Sequence, residues 1–162
     1  MNERNGVRIE AAPRPTEEVC ALIGELEAVL AAEYAPEQQH GLALDAIFKP
    51  HIRFFLARSG GAAVGCGGVA LFSDFAEVKR MYVRNAARGQ GVAQAILARI
   101  EEETRSAGLP LLRLETGERQ VAAIGLYTRA GFRRCGAFGA YSLMAPQSIA
   151  TSVFFEKRVD SP

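Results

Sequence analysis

The chain has 162 residues, enough for one domain with a sizeable core, and 49% apolar against 23% charged residues is an ordinary globular balance. With 19 basic and 18 acidic residues the net charge is +1, which gives no electrostatic basis for a nucleic-acid or membrane-surface partner. The cysteines, Cys20, Cys66 and Cys135, are odd in number, form no C-x-x-C pair and make no metal-ligand spacing with His40 or His51. They read as reduced thiols, and no metal is expected. The first residues are charged and contain no apolar core of a secretory signal, and the uncharged stretch 60–73 is too short and too glycine-rich to cross a bilayer. A cytoplasmic protein is expected.

In chain order, Val7 to Ala11 reads as a first strand, broken by Ala12-Pro13-Arg14-Pro15. Thr16 is placed to cap a helix, with Glu17 and Glu18 in its first turn. Val19, Leu22, Ile23, Leu26, Val29 and Leu30 form one apolar stripe on that helix, which predicts core packing and nothing more. Tyr34 to Pro50 is poorly periodic and suggests a short second helix or an apolar lid. Ile52–Arg58 and Ala62–Phe72 read as a hairpin around Ser59-Gly60-Gly61. Gly65, Gly67 and Gly68 weaken its second strand and invite a bulge. A further strand begins at Glu77, so a three-strand meander feeds the most informative stretch of the chain.

That stretch is 76–103. Val78, Met81, Tyr82 and Val83 give a strand, Asn85-Ala86-Ala87 breaks it, and Val92, Ile96, Ile100 and Thr104 recur at helical spacing with Leu97 beside them. Arg88-Gly89-Gln90-Gly91-Val92-Ala93 therefore sits between a strand and the first turn of a helix. The first N–H groups of a helix have no internal partner and lie at the positive end of its dipole, while glycine lets an oxyanion approach the backbone. Such a turn can cradle a pyrophosphate. A plain helix start is the simplest alternative. A dinucleotide fingerprint with Glu115 as the ribose acid is another, but its third glycine position is Gln94 and several residues separate the strand from Gly89.

The helix ends at Gly108-Leu109-Pro110, and Leu111 to Glu115 is a strand. Strand, helix and strand in succession predict a parallel pair with a right-handed crossover. A second helix spans about Arg119 to Ala130, with Gly131 as its left-handed cap and Phe132 folding back on its last turn. Gly136 to Ala150 is irregular, and Ser152 to Arg158 is the final strand. No linker or repeat interrupts the chain, so 1–162 is read as one domain with its core over about 7–158.

Arg-x-x-Gly-x-Ala at Arg88 to Ala93, preceded by Glu77-Val78-Lys79-Arg80-Met81-Tyr82-Val83, resembles the acyl-CoA pyrophosphate loop of the GNAT superfamily of N-acetyltransferases. Leu126-Tyr127 followed by Gly131-Phe132 resembles the second signature of that family. Leu114-Glu115-Thr116-Gly117, with the later Phe138-Gly139-Ala140-Tyr141 and Phe155-Glu156-Lys157, is similar to a bacterial subgroup of mostly unassigned substrate. The resemblance implies an α/β fold: a mixed, mostly antiparallel sheet of six or seven strands with a splayed parallel pair, flanked by about four helices. It also implies acetyl-CoA as co-substrate, with pantetheine pairing to the backbone of Met81, Tyr82 and Val83. Arg88, Gly89, Gln90, Gly91, Val92 and Ala93 would hold the pyrophosphate, and Gln120 stands where many members carry a cofactor-reaching asparagine. Asn85 replaces a frequent proline. Tyr127 would protonate the departing thiolate. A lysine-like amine, with a pKa of about 10.4, must lose a proton before it attacks a thioester, and Glu77 is the first choice of base, with Glu115 second. The acceptor implied is a small-molecule or peptide amine, lined by 34–50 and 136–150; a homodimer is admitted. The alternative is a non-catalytic acyl-CoA-binding or regulatory module of the same fold.

Overall fold

The structure, a computed structural model, describes residues 2–4 and 6–160. The chain runs β1 (Asn2–Arg4), β2 (Val7–Ala11), α1 (Glu17–Glu33), β3 (Ile52–Ser59), β4 (Ala62–Leu71), β5 (Ala76–Val83), α2 (Val92–Ser106), β6 (Leu111–Gly117), α3 (Val121–Arg129), β7 (Arg133–Cys135) and β8 (Ser152–Arg158). The strands form one sheet in the order β1-β2-β3-β4-β5-β6-β8-β7. From Val7 onward this is the expected mixed sheet of seven strands, and the short β1 adds an antiparallel edge. Every pairing is antiparallel except β5 with β6.

The described residues contain three α-helices rather than about four, because 34–50 coils only as 3-10 turns at Pro36–Gln38 and Leu44–Phe48. Its apolar residues are too sparse and too irregular to sustain i→i−4 bonding, and within the two turns Ile47 alone is buried. Within the irregular 136–150 segment, two more such turns form at Gly139–Leu143 and Pro146–Ser148. The three-residue β7, with Arg133 and Arg134 exposed, carries no alternation from which a strand could be read.

Helices cover both faces of the sheet, and β3 records this directly. Phe54 and Leu56 pack under α1 with Val19, Leu22 and Ile23, whereas Phe55 and Ala57 belong to the larger core under α2 and α3. On α2 the residues Val92, Ile96, Leu97 and Ile100 are buried as the periodicity required, each contributing about 1.5–3 kcal/mol of apolar burial. Thr16 caps α1 by accepting the Val19 N–H at 3.3 Å. Glu25 of α1 receives Arg84 at 2.8 Å and the Tyr82 hydroxyl at 3.1 Å, which tethers the helix to the end of β5.

Two bulges shape the middle of the sheet. Val64 is the extra residue between the pairs Ala57–Gly65 and Arg58–Ala63. Gly67 stands opposite both Arg80 and Met81, and Arg80 adopts φ +56°, the positive-φ non-glycine residue among those described. A bulge bends its strand and increases its twist. Gly67 is needed where it stands because a Cβ there would lie 2.8 Å from Ile96 Cγ2 and 3.1 Å from Met81 Sδ.

Gly67→Val should therefore lower unfolding free energy by about 1–3 kcal/mol, the usual range for overpacking, read from urea denaturation. Gly136→Ala, where a Cβ meets nothing within 4 Å, should leave the transition unchanged.

Candidate active site

The parallel pairing of β5 with β6 is confined to Ala76–Leu112 and Glu77–Arg113. Past these pairs the bulge at Arg80 and Met81 bends β5 away, and the strands separate. A cavity of about 150 Å³ lies in the gap, lined by Glu77, Lys79, Arg80, Glu115, Tyr127 and Tyr141 among others. A groove of about 1000 Å³ opens beside it, lined by Met81, Tyr82, Val83, all of 87–95, and the start of α3. Leu26, Met81, Gln120, Ala123 and Leu126 line both spaces, so the two meet at the splay.

The groove collects Met81, Tyr82, Val83, 88–93 and Gln120, to which the resemblance gave cofactor binding, whereas Tyr127, given a place at the cofactor as well, lines the cavity. Gly89 and Gly91 take φ +78° and +80°, which glycine adopts without strain. Gly91 caps α2 with no side-chain hydrogen bond, so the unpaired N–H groups of the first turn are left to an outside acceptor. Those donors, the helix dipole, Arg88, whose Nε donates to the Val83 carbonyl at 3.3 Å, and the edge of Met81–Val83 that β6 does not pair fit a pyrophosphate followed by an amide-bearing arm.

Tyr127 is held by the way α3 ends. The Phe132 N–H bonds the Tyr127 carbonyl at 3.0 Å and the Gly131 N–H bonds the Thr128 carbonyl at 3.2 Å, with Gly131 at φ +94°. This is a Schellman motif, and its usual apolar contact is the Phe132 ring, 5.6 Å from that of Tyr127. Tyr-x-x-x-Gly-Phe is thus a device that orients the tyrosine. Its ring is 4% exposed, and its hydroxyl has no hydrogen-bond partner among the described residues. Burial, then the charge of Glu115, pushes the phenol well above its ordinary pKa.

The two candidate carboxylates have different surroundings. Glu77 is 4% exposed at the apex of the splay. Its Oε2 accepts the Tyr141 hydroxyl at 2.6 Å and pairs with Lys79 Nζ at 2.8 Å, and Lys79 also donates to Tyr141 at 3.1 Å. Glu115 accepts only the Ser152 hydroxyl, at 2.6 Å, and makes no ion pair among the described residues. Burial raises its carboxyl above the usual carboxylate range, the Ser152 hydrogen bond opposing this in part.

Several lining residues had no role in the sequence reading. Lys79 follows Glu77 by two positions on a strand, which sets both on one face. Tyr141 belongs to the noted Phe138-Gly139-Ala140-Tyr141. No local pattern marks His40, whose Nε2 donates to the Ser148 carbonyl at 2.8 Å and joins the two irregular segments above the cavity. Nor is α1 core packing alone: Leu26 and Leu30 line the cavity, and at its end Tyr34 accepts the Arg119 N–H at 2.9 Å. Arg80 donates to the Leu42 carbonyl at 2.8 Å and pairs with Glu27 at 3.1 Å, holding 39–43 beside the site.

Residues 21–132 match the family model of the acetyltransferase (GNAT) family. The chain is 44% identical over 141 residues to an IAA acetyltransferase of Azospirillum brasilense, covering 86% of this chain and 89% of that protein. A solved acyl-CoA N-acyltransferase from Klebsiella pneumoniae superposes with a TM-score of 0.77 at 33% identity, covering 96% of this chain and 99% of the other. A GNAT family acetyltransferase from Elizabethkingia anophelis, solved with acetyl-CoA bound, shares the fold at TM-score 0.65 and 16% identity, with 96% and 99% covered. The chain belongs to the GNAT family of acetyltransferases. It is an acetyl-CoA-dependent N-acyltransferase, and among its described residues no helix is long and apolar enough to cross a membrane.

The Glu115 environment has a signature in folding. A carboxyl whose folded pKa exceeds its unfolded value contributes favourably at low pH, and that contribution is lost as pH rises through the folded pKa. Glu115→Gln should consequently raise the Tm relative to the unmodified chain at pH 8 and have no such effect at pH 4, as scanning calorimetry at the two pH values would record.

Proposed function

We propose that the chain moves the acetyl group of acetyl-CoA directly to the amine of an acceptor held in the cavity, with Tyr127 as general acid and Glu115 as general base. The observation that carries this reading is the wall common to the two spaces, Met81 and Leu126 above all. It lets a thioester reaching in from the groove meet an amine in the cavity beside Tyr127.

The backbone of Met81, Tyr82 and Val83 would pair with the pantetheine amides, 88–93 would hold the pyrophosphate, and Gln120 reaches the same groove. When bound, acetyl-CoA supplies a thioester carbonyl already activated for attack. An ammonium has no lone pair, so a carboxylate must first take a proton from it. Glu77 fills that role less well than its position suggests, since Lys79 and Tyr141 stabilise its charge. Glu115 has no cation paired to it and a raised pKa, hence a stronger pull on the proton. Glu77 is then a positioning residue that fixes Lys79 and Tyr141. The freed amine forms the C–N bond as the C–S bond breaks; Tyr127, kept protonated by burial, donates to the departing sulfur, and the tyrosinate so formed takes the second proton that the acylated nitrogen sheds. No protein nucleophile is needed. The same reading includes a cytoplasmic location and a homodimer, which cell fractionation and light scattering would test.

Gly91→Val should weaken CoA binding by roughly tenfold or more, because a side chain at the helix start obstructs the oxyanion. Calorimetry would measure it, with circular dichroism confirming the fold. Tyr127→Phe should keep CoA affinity and lower kcat by roughly 10²–10⁴-fold; an unchanged kcat in pre-steady-state turnover would remove the acid role. The base is decided by pH–rate profiles at saturating acetyl-CoA. Glu115→Gln should abolish the acidic limb of kcat/KM and Glu77→Gln should preserve it. The opposite pattern would exchange the two carboxylates.

A further inference from the structure

The charges around the cavity restrict the acceptor. Lys79 is matched by Glu77 at 2.8 Å and Arg80 by Glu27 at 3.1 Å. Glu115 has the Ser152 hydroxyl and no cation. One carboxylate is left over, buried where an unpaired charge is costly. The rest of the lining is mainly apolar and aromatic, with Leu26, Leu30 and the rings of Tyr34, Tyr127 and Tyr141. It adds the uncharged Gln38, Gln39, Thr116 and Gln120 and the His40 ring, whose Nε2 is engaged by the Ser148 carbonyl. At about 150 Å³ the space equals that of a cavity able to take one benzene ring.

We infer that the acceptor is a small primary amine carrying one positive charge on an apolar, ring-sized body, with neither a carboxylate nor a second ammonium. This rests on the acetyl-transfer reading of the same site. The single ammonium completes the charge balance at Glu115, and tyrosine faces attract a cation further. An amino acid would bring a carboxylate, and the basic groups of the lining are already engaged: Arg80 by Glu27 and the Leu42 carbonyl, His40 Nε2 by the Ser148 carbonyl, and Lys79 by Glu77 and by Tyr141, whose ring centroid lies 5.5 Å from Nζ. A polyamine would bring a second cation with no free anion to meet it. A peptide or an aminoglycoside exceeds a volume of about 150 Å³.

The test is thiol release by the full chain with acetyl-CoA and four amines: phenethylamine, phenylalanine, 1,4-diaminobutane and a tripeptide. Phenethylamine should exceed each of the others in kcat/KM by at least about tenfold, the order expected when an unmatched charge must be desolvated. Equal or better turnover of phenylalanine, the diamine or the tripeptide would overturn the assignment. Lys79→Met tests the charge balance independently. It frees the Glu77 anion, so the diamine should gain on phenethylamine by about fivefold or more. The double variant Glu77→Gln, Lys79→Met is neutral at that pair and should return the ratio to that of the unmodified chain, which separates charge from damage to the fold. A diamine ratio unmoved by Lys79→Met would overturn the inference. If no amine in the panel releases thiol while calorimetry still registers CoA, the acceptor class is wrong; if CoA binding is absent too, the failure lies with the acyltransferase reading beneath it.

Discussion

Two residue pairs, Ala76 with Leu112 and Glu77 with Arg113, join the central parallel strands, and the gap beyond them provides both cavity and groove. Backbone groups freed from a ladder must find other partners. At Met81 to Val83 those groups border the groove. The separation depends on the bulge at Arg80 and Met81, which would be unstable without outside support. The buried Arg80 side chain supplies it through Glu27 and the Leu42 carbonyl. Gly41 accommodates that guanidinium, since any Cβ there would collide with it.

The remaining elements hold the edges of this opening. On one side α2 presents its first turn to the groove, able to approach β4 closely because Gly65 and Gly67 carry no side chain. On the other, Tyr34 pins the turn between β6 and α3 by accepting the Arg119 N–H, and Gly117 leaves room for the Tyr34 ring. The Schellman end of α3 then sets Tyr127 over the junction. Each constraint is modest in energy, and together they place a buried phenol, two carboxylates and a row of donors around the junction of cavity and groove. Catalysis by positioned groups depends on that kind of pre-organisation.

The chemistry is divided by environment rather than by residue type. Glu77 and Glu115 are both buried glutamates on neighbouring strands. Glu77 is ion-paired with Lys79 and accepts the Tyr141 hydroxyl, while burial raises the pKa of Glu115, opposed in part by the Ser152 hydroxyl. Different surroundings give like groups different tasks, because the free energy of the charged form depends on what lies within hydrogen-bond reach.

What the sequence alone could determine were the features written in local spacing. The period of 3.6 on α1 and α2, the glycine turn at 88–93, the Tyr127-to-Phe132 helix end and the βαβ connection each involve residues a few positions apart, and backbone sterics dictate their outcome. The 3-10 turns of 34–50 and the strand at Arg133–Cys135 left no such trace, because their shapes come from contacts made across the fold. The same holds for the site's electrostatics. Lys79 stands two positions from Glu77 on the same strand face, but Glu77 and Tyr141 are 64 residues apart and Glu115 and Ser152 are 37 apart, so local spacing could not show that one carboxylate is both ion-paired and hydrogen-bonded while the other has a hydroxyl alone. Only the tertiary structure decided that, since a charge in a low-dielectric interior is governed by its nearest partners in space, wherever they lie in sequence.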